Sequence, residues 1–141
     1  GAAKAGAAVA KSDRLAAAAG LWSLCGCGYW SFVERATGRW VGLGGLGRFE
    51  RGVEELEGQI ESGWAIIPDA WGKGYATEAM AAALDWADTV LGIPDVRCII
   101  DPDNVASVVV ANKLGFKKLS STADSIGPVD VFRKPFARAI S

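Results

Sequence analysis

The chain contains no histidine. That one absence removes Ser–His and Cys–His nucleophilic schemes, and most zinc sites, from the chemistry open to it. Cysteine is scarce: Cys25, Cys27 and Cys98 make an odd count with no metal-binding spacing. Reduced thiols and a cytoplasmic location are therefore expected, with no metal. Long apolar runs are missing too. The longest weakly polar stretch, Leu15–Trp30, is mainly Ala and Gly and is interrupted by Ser23. It is too short and too weakly apolar to span a membrane. No basic segment precedes an apolar one, so no secretory signal is read. There is no basic run either: 15 Lys and Arg stand against 16 Asp and Glu, a net charge of −1. A nucleic-acid partner is not expected.

At 141 residues and 50% hydrophobic content, residues 1–141 suit a single globular domain with a real core. Residues 1–27 are an atypical N-terminal segment, and ten of the first twenty residues are Ala. Ala is the best helix former, so one reading is a helix with Ser12 as N-cap, running into Leu21–Leu24; the other is a stretch whose side chains were not identified and are written as Ala.

The organising stretch is Trp71-Gly72-Lys73-Gly74-Tyr75-Ala76-Thr77. Before it, residues 60–67 read as a strand ended by Pro68-Asp69. After it, apolar or small residues at 76, 79, 80, 83, 84, 87 and 91 follow a helical period, with Gly92 and Pro94 as stop signals. Glycines before a helix N-terminus leave backbone N–H groups facing outward at the positive end of the dipole, a seat for phosphate or pyrophosphate. On the glycines alone, an ordinary strand–turn–helix corner remains open. A P-loop is ruled out because Ile67 and Gly74 stand where Gly and Ser or Thr are needed. A dinucleotide fingerprint fails at Thr77. Gly42-Leu43-Gly44-Gly45-Leu46-Gly47 satisfies Gly-x-Gly-x-x-Gly literally, yet no amphipathic helix follows. A glycine-rich strand edge or bulge, approached by another backbone, is expected instead.

Strands are read at 28–34, with Trp30 and Phe32 opposite Ser31, and at 39–46, joined by a turn at 35–38. Residues 48–62 carry five Glu against two Arg. Val96–Ile100 reads as a buried strand, and 105–114 as a helix closed by Gly115. Three consecutive valines at 108–110 form helices poorly, so packing must hold that helix. Phe116–Leu119 and Pro128–Arg133 pair as a final hairpin. The alternation means α/β or α+β with a mixed sheet.

The 71–79 segment resembles the pyrophosphate loop of the GNAT N-acetyltransferases, Arg/Gln-x-x-Gly-x-Gly/Ala, with Gly74 and Ala76 at its last fixed places and Trp71 at its first. Its wording is similar to the RimJ/RimL-type branch. Asn104-Val105-Ala106-Ser107 followed by Asn112-Lys113-Leu114-Gly115-Phe116 resembles the same family's Asn-x-x-Ser … Lys-x-Gly-Phe segment. The resemblance runs from about Tyr29 to Pro135 and implies a mixed, mostly antiparallel sheet flanked by helices. Family members usually open with a strand and two helices, some thirty residues more than is visible here, so the N-terminal part is expected to be incomplete.

The implied activity is transfer of acetyl from acetyl-CoA to a primary amine, foremost a protein N-terminal α-amino group. Alternatives are a polyamine or aminoglycoside acceptor, or a non-catalytic acyl-CoA-binding module. No nucleic-acid or membrane partner is implied, and a homodimer is compatible with the family. Gly72, Lys73, Gly74, Tyr75, Ala76 and Thr77 would bind pyrophosphate through backbone N–H groups, with Lys73 adding charge at the rim. Ile66 would pair with the pantetheine amides as an added strand, and a β-bulge there would aim an N–H at the thioester carbonyl. Asn104 would hold the pantetheine arm and Ser107 the leaving thiolate, although a plain N-cap arrangement explains both residues too. Without histidine, Glu61 is the candidate general base; a solvated glutamate at a strand end is the alternative.

Overall fold

The computed structural model describes residues 14–22, 28–48 and 53–136. Among them, strands β1 (Leu15–Trp22), β2 (Gly28–Glu34), β3 (Trp40–Gly47), β4 (Glu61–Ile66), β5 (Asp95–Ile100), β6 (Lys117–Ala123) and β7 (Pro128–Pro135) form one sheet. Their order is β1-β2-β3-β4-β5-β7-β6. Every neighbouring pair is antiparallel except β4–β5. Helices α1 (Tyr75–Trp86) and α2 (Val105–Leu114) follow β4 and β5 and touch one another. No helix among the described residues is long and apolar enough to cross a membrane.

The Ala-rich N-terminal segment departs from expectation. Leu15–Trp22 is a strand, pairing with β2 from Leu15↔Glu34 to Trp22↔Gly28. Helix propensity is worth only tenths of a kcal/mol per residue. A ladder along the β2 edge overrides it. Ser12, Cys25 and Cys27 lie outside the described residues.

The hairpin at 35–38 forms as read, with Gly38 at φ 73°. Trp30 and Phe32 are fully buried, as the alternation requires. The glycine-rich β3 is not an edge: it lies between β2 and β4. A bulge is present, since Phe32 faces Gly42 while Val33 faces Trp40, leaving Val41 as the extra residue. The glycines are there for backbone proximity. A Cβ on Gly45 would strike the Gly28 carbonyl, and one on Gly42 the Ala65 carbonyl. Substitution at either position must push neighbouring strands apart.

Helix α1 buries Ala79, Met80, Ala83 and Leu84 against the sheet. Full burial of a side chain such as Met80 or Leu84 contributes roughly 1.5–3 kcal/mol. The helix widens at Ala87–Leu91 into π geometry and stops at Gly92, φ 67°. Trp30 and Trp86 meet edge to face, 5.6 Å between centroids. Helix α2 is held by its caps, Asn104 and Gly115, and by buried Ala111 and Leu114. Within the valine run, Val108 and Val110 are half-buried against the core and Val109 is exposed.

The acidic connection is anchored rather than wholly solvated. Val53 and Leu56 are buried against Val131 and Ile99, and Arg97 Nη1 donates to the Glu55 carbonyl at 2.6 Å. Glu50 lies outside the described residues.

Candidate active site

The site begins where β4 and β5 part. They share one parallel pair, Glu61↔Arg97, secured by the Arg97 N–H donating to the Ile60 carbonyl at 2.9 Å. Past that point β5 stays laddered to β7, and β4 to β3, so a gap opens between them. Which backbone groups face the gap follows from register. The Ile67 N–H donates to the Val41 carbonyl at 2.8 Å, making that pair a hydrogen-bonded one. Antiparallel pairs alternate, so Ile66 and Trp64 turn their N–H and C=O groups away from β3, toward the gap. The Ile66 carbonyl accepts from the Trp71 indole Nε1–H at 2.7 Å. The expected β-bulge in β4 is absent: its pairing with β3 runs unbroken from Gly42↔Ile66 to Gly47↔Glu61. Strand divergence, not a bulge, is what frees these amides.

Helices α1 and α2 wall the gap, leaving a cleft of about 630 Å³. On one side stand Ile66, Trp71, Gly72, Gly74, Tyr75, Ala76 and Thr77; on the other, Asn104, Ser107, Val110 and Lys113. Gly72 and Gly74 adopt φ of 77° and 75°, the left-handed region that only glycine enters cheaply. Gly74 is the N-cap of α1 and has no side chain of its own to cap that end. Its first-turn N–H groups therefore remain available to an anion. At the head of α2, Asn104 Oδ1 accepts from the Ser107 N–H at 3.2 Å.

Lys73 lies between Gly72 and Gly74 in the turn, its side chain about half exposed. It does not line the cleft; its Nζ lies 4.0 Å from Glu34 Oε2 and 5.9 Å from the Tyr75 ring centroid. The Tyr75 hydroxyl donates to Glu34 Oε2 at 2.5 Å, and Arg14 covers the other ring approach, 4.8 Å from its centroid, while paired to Glu78. The hydrogen bonds from Tyr75 and Thr37 hold the Glu34 carboxyl below its ordinary range. The cluster ties β1 and β2 to the start of α1 and so fixes the glycine turn.

At its inner end the cleft meets a smaller pocket of about 240 Å³, lined by Tyr29, Glu61, Ser62, Cys98 and Ile100, and sharing Trp64, Asn104 and Ser107 with the cleft. A side chain on Gly44 would point at Met80 of α1. Gly44's partner Trp64, and Ser62 two residues away, therefore face the helices. Glu61 and Gly63 face the opposite side, where the Tyr29 hydroxyl stands over Gly63. The pocket is thus bordered by residues from both faces of the sheet. Glu61 is 3% exposed, not a solvated strand end. Ser62 Oγ is buried without a hydrogen-bond partner among the described residues. Burial, and then the Glu61 charge, push the Cys98 thiol far above its ordinary range. A thiol so held is a poor nucleophile.

Of the residues singled out from sequence, Glu61 and Ser107 meet at the small pocket, and Ile66, Gly72, Gly74, Tyr75, Ala76, Thr77 and Asn104 line the cleft. Tyr29, Ser62, Trp64 and Lys113 were missed. For Lys113 a signal existed: Ala106, Val109, Val110 and Lys113 share one face of α2 at helical spacing.

The model of the acetyltransferase (GNAT) domain matches residues 5–117. The chain belongs to the GNAT family. Among curated GNAT relatives it is 27% identical over 88 residues to the uncharacterized N-acetyltransferase p20 of Bacillus licheniformis, covering 62% of this chain and 47% of that protein. It is 34% identical over 85 residues to the spermidine N(1)-acetyltransferase of Escherichia coli (strain K12), covering 60% and 44%. The chain thus spans about half the length of these curated relatives. A GNAT-family acetyltransferase structure from Bordetella pertussis superposes with a TM-score of 0.75 at 27% identity, covering 80% of this chain and 68% of that one. The mixed, mostly antiparallel sheet with two helices is the GNAT fold.

Proposed function

We propose that this chain transfers acetyl from acetyl-CoA to a primary amine by direct attack in a ternary complex. One observation carries this: β4 and β5 part after a single pair, beside an uncapped, glycine-led helix N-terminus. The parted edge offers Trp64 and Ile66 backbone groups to an extended amide-bearing arm, and the α1 N-terminus offers N–H groups to pyrophosphate. Asn104 holds the arm at the head of α2. The Trp64 N–H is available to the oxygen on which negative charge grows, a role worth several kcal/mol where donors are preorganised. Glu61 takes the amine proton from the far face of the sheet, and Ser107 donates a hydrogen bond to the departing sulfur.

Between acceptors, we favour a protein N-terminal α-amino group, following the RimJ/RimL-like wording of residues 71–79. A polyamine is the second reading, supported by the similarity to a spermidine acetyltransferase. Thiol release from acetyl-CoA, measured with spermidine and with N-terminal peptides in parallel, tests both. Release with a peptide alone supports the first reading, and release with spermidine alone the second. No release with any amine, despite acetyl-CoA binding, would leave only a binding module.

A further inference from the structure

We propose that Lys113 is the cleft's phosphate-binding cation, fixing the direction in which the cosubstrate lies. This rests on the acetyl-CoA reading above. Lys113 is the one charged side chain among the described residues that line the cleft. Lys73, within the glycine turn, is not among the lining residues, and its Nζ lies 4.0 Å from Glu34 Oε2. No described acid pairs with the Lys113 ammonium.

Helix α2 gives that cation its place. Ala106, Val109, Val110 and Lys113 follow one another along the cleft wall, an apolar track ending in a positive charge. Asn104 and Ser107, at the other end, also line the inner pocket that holds Glu61. Lys113 lies nine positions after Asn104, about 13 Å along the helix axis. The two ends of α2 thus mark the two ends of the ligand: the reacting carbon at Asn104 and Ser107, a phosphate at Lys113. The same cleft holds Gly72, Gly74 and the first turn of α1, so a phosphate there meets backbone N–H groups from one wall and an ammonium from the other. Two sources of phosphate are available in CoA, the pyrophosphate and the 3′-phosphate, and both present the same chemistry to a lysine.

Calorimetric titration of CoA and of 3′-dephospho-CoA into the wild type, Lys113→Met and Lys113→Arg separates them. Lys113→Met should weaken CoA binding about tenfold at low salt, equivalent to about 1.4 kcal/mol. That gap should narrow toward about 0.5 M salt as the ion pair is screened. Lys113→Arg should stay close to wild type. A loss confined to CoA assigns Lys113 to the 3′-phosphate; a loss shared by both ligands assigns it to the pyrophosphate. Lys113 is exposed in the last turn of α2, so the unliganded variants should melt within a few degrees of wild type. A merely structural role would move melting and leave the salt dependence of binding alone. If wild type binds CoA and Lys113→Met binds both ligands equally well, the assignment to Lys113 is overturned and the CoA site stands. If wild type binds neither ligand, the acetyl-CoA reading fails and this assignment falls with it.

Discussion

Replacing Glu61 by Gln isolates its proton-accepting role, because the amide keeps size and hydrogen-bonding reach while losing the basic lone pair. The structure sets the magnitude. Glu61 is 3% exposed among the residues that line the small pocket, so bulk solvent is poorly placed to take the proton instead. An α-amino group, pKa about 8, is about one-tenth neutral near pH 7, and an alkylamine near 10.4 far less. A positioned base typically contributes about 10²–10⁴-fold. We expect Glu61→Gln to lower the single-turnover rate at saturating acetyl-CoA at least about 100-fold near neutral pH. Single-turnover measurement is needed because product release can conceal a slower chemical step. Affinity for CoA should hardly change, since Glu61 lines the inner pocket and not the main cleft. The loss should also shrink as pH rises and the acceptor deprotonates unaided. If the variant's single-turnover rate stays within about twofold of wild type near neutral pH, Glu61 is not the base, and solvent or another carboxylate takes the proton.

Two further outcomes follow from charge. Glu54, Glu55 and Glu57 precede Glu61 on the connection anchored beside the acceptor face, so they should steer a cationic amine inward. The apparent second-order rate should therefore fall as salt rises toward about 0.5 M, and a flat profile would show that the acidic connection steers nothing. Separately, Tyr75→Phe removes the strongest hydrogen bond to Glu34. Because Glu34's folded pKa is lowered, this stabilisation is present above the ordinary glutamate range and is lost as pH falls through the folded value. Urea unfolding should thus show Tyr75→Phe less stable than wild type near neutral pH, with the difference closing in acid; a gap constant with pH would mean that the ionised carboxylate is not the partner.

The glycine turn, both helices with their Gly92 and Gly115 stops, and the closing hairpin were legible because local chemistry fixes them: left-handed backbone, amphipathic period, caps. The Asn-x-x-Ser pattern likewise placed Asn104 and Ser107 correctly, since an N-cap and its N3 partner are three residues apart by geometry. Leu15–Trp22 was misread because alanine's preference is weak beside a ladder with β2 that is remote in sequence. The central position of β3 was hidden for the same reason, as strand order is a long-range property. Lys73 was given to the ligand because it sits in the loop. Its 4.0 Å approach to Glu34, thirty-nine residues earlier in the chain, exists only once β2 lies beside α1. The parting of β4 from β5, which makes the site, has no local signature at all.

The central claim is that the cleft between β4 and β5 seats acetyl-CoA with its pyrophosphate at Gly74. Gly74→Glu tests it most directly. The backbone there, φ 75°, costs a non-glycine residue about 1–2 kcal/mol, and among the described residues a Cβ meets only Arg14 Nη2, at 3.6 Å. The variant should therefore fold, with a circular-dichroism spectrum like that of the wild type. Its carboxylate would stand where an anion must approach the α1 N–H groups. Calorimetric titration with acetyl-CoA should give one saturable site in the wild type and no measurable binding in folded Gly74→Glu; equal affinity in the two proteins would contradict the account.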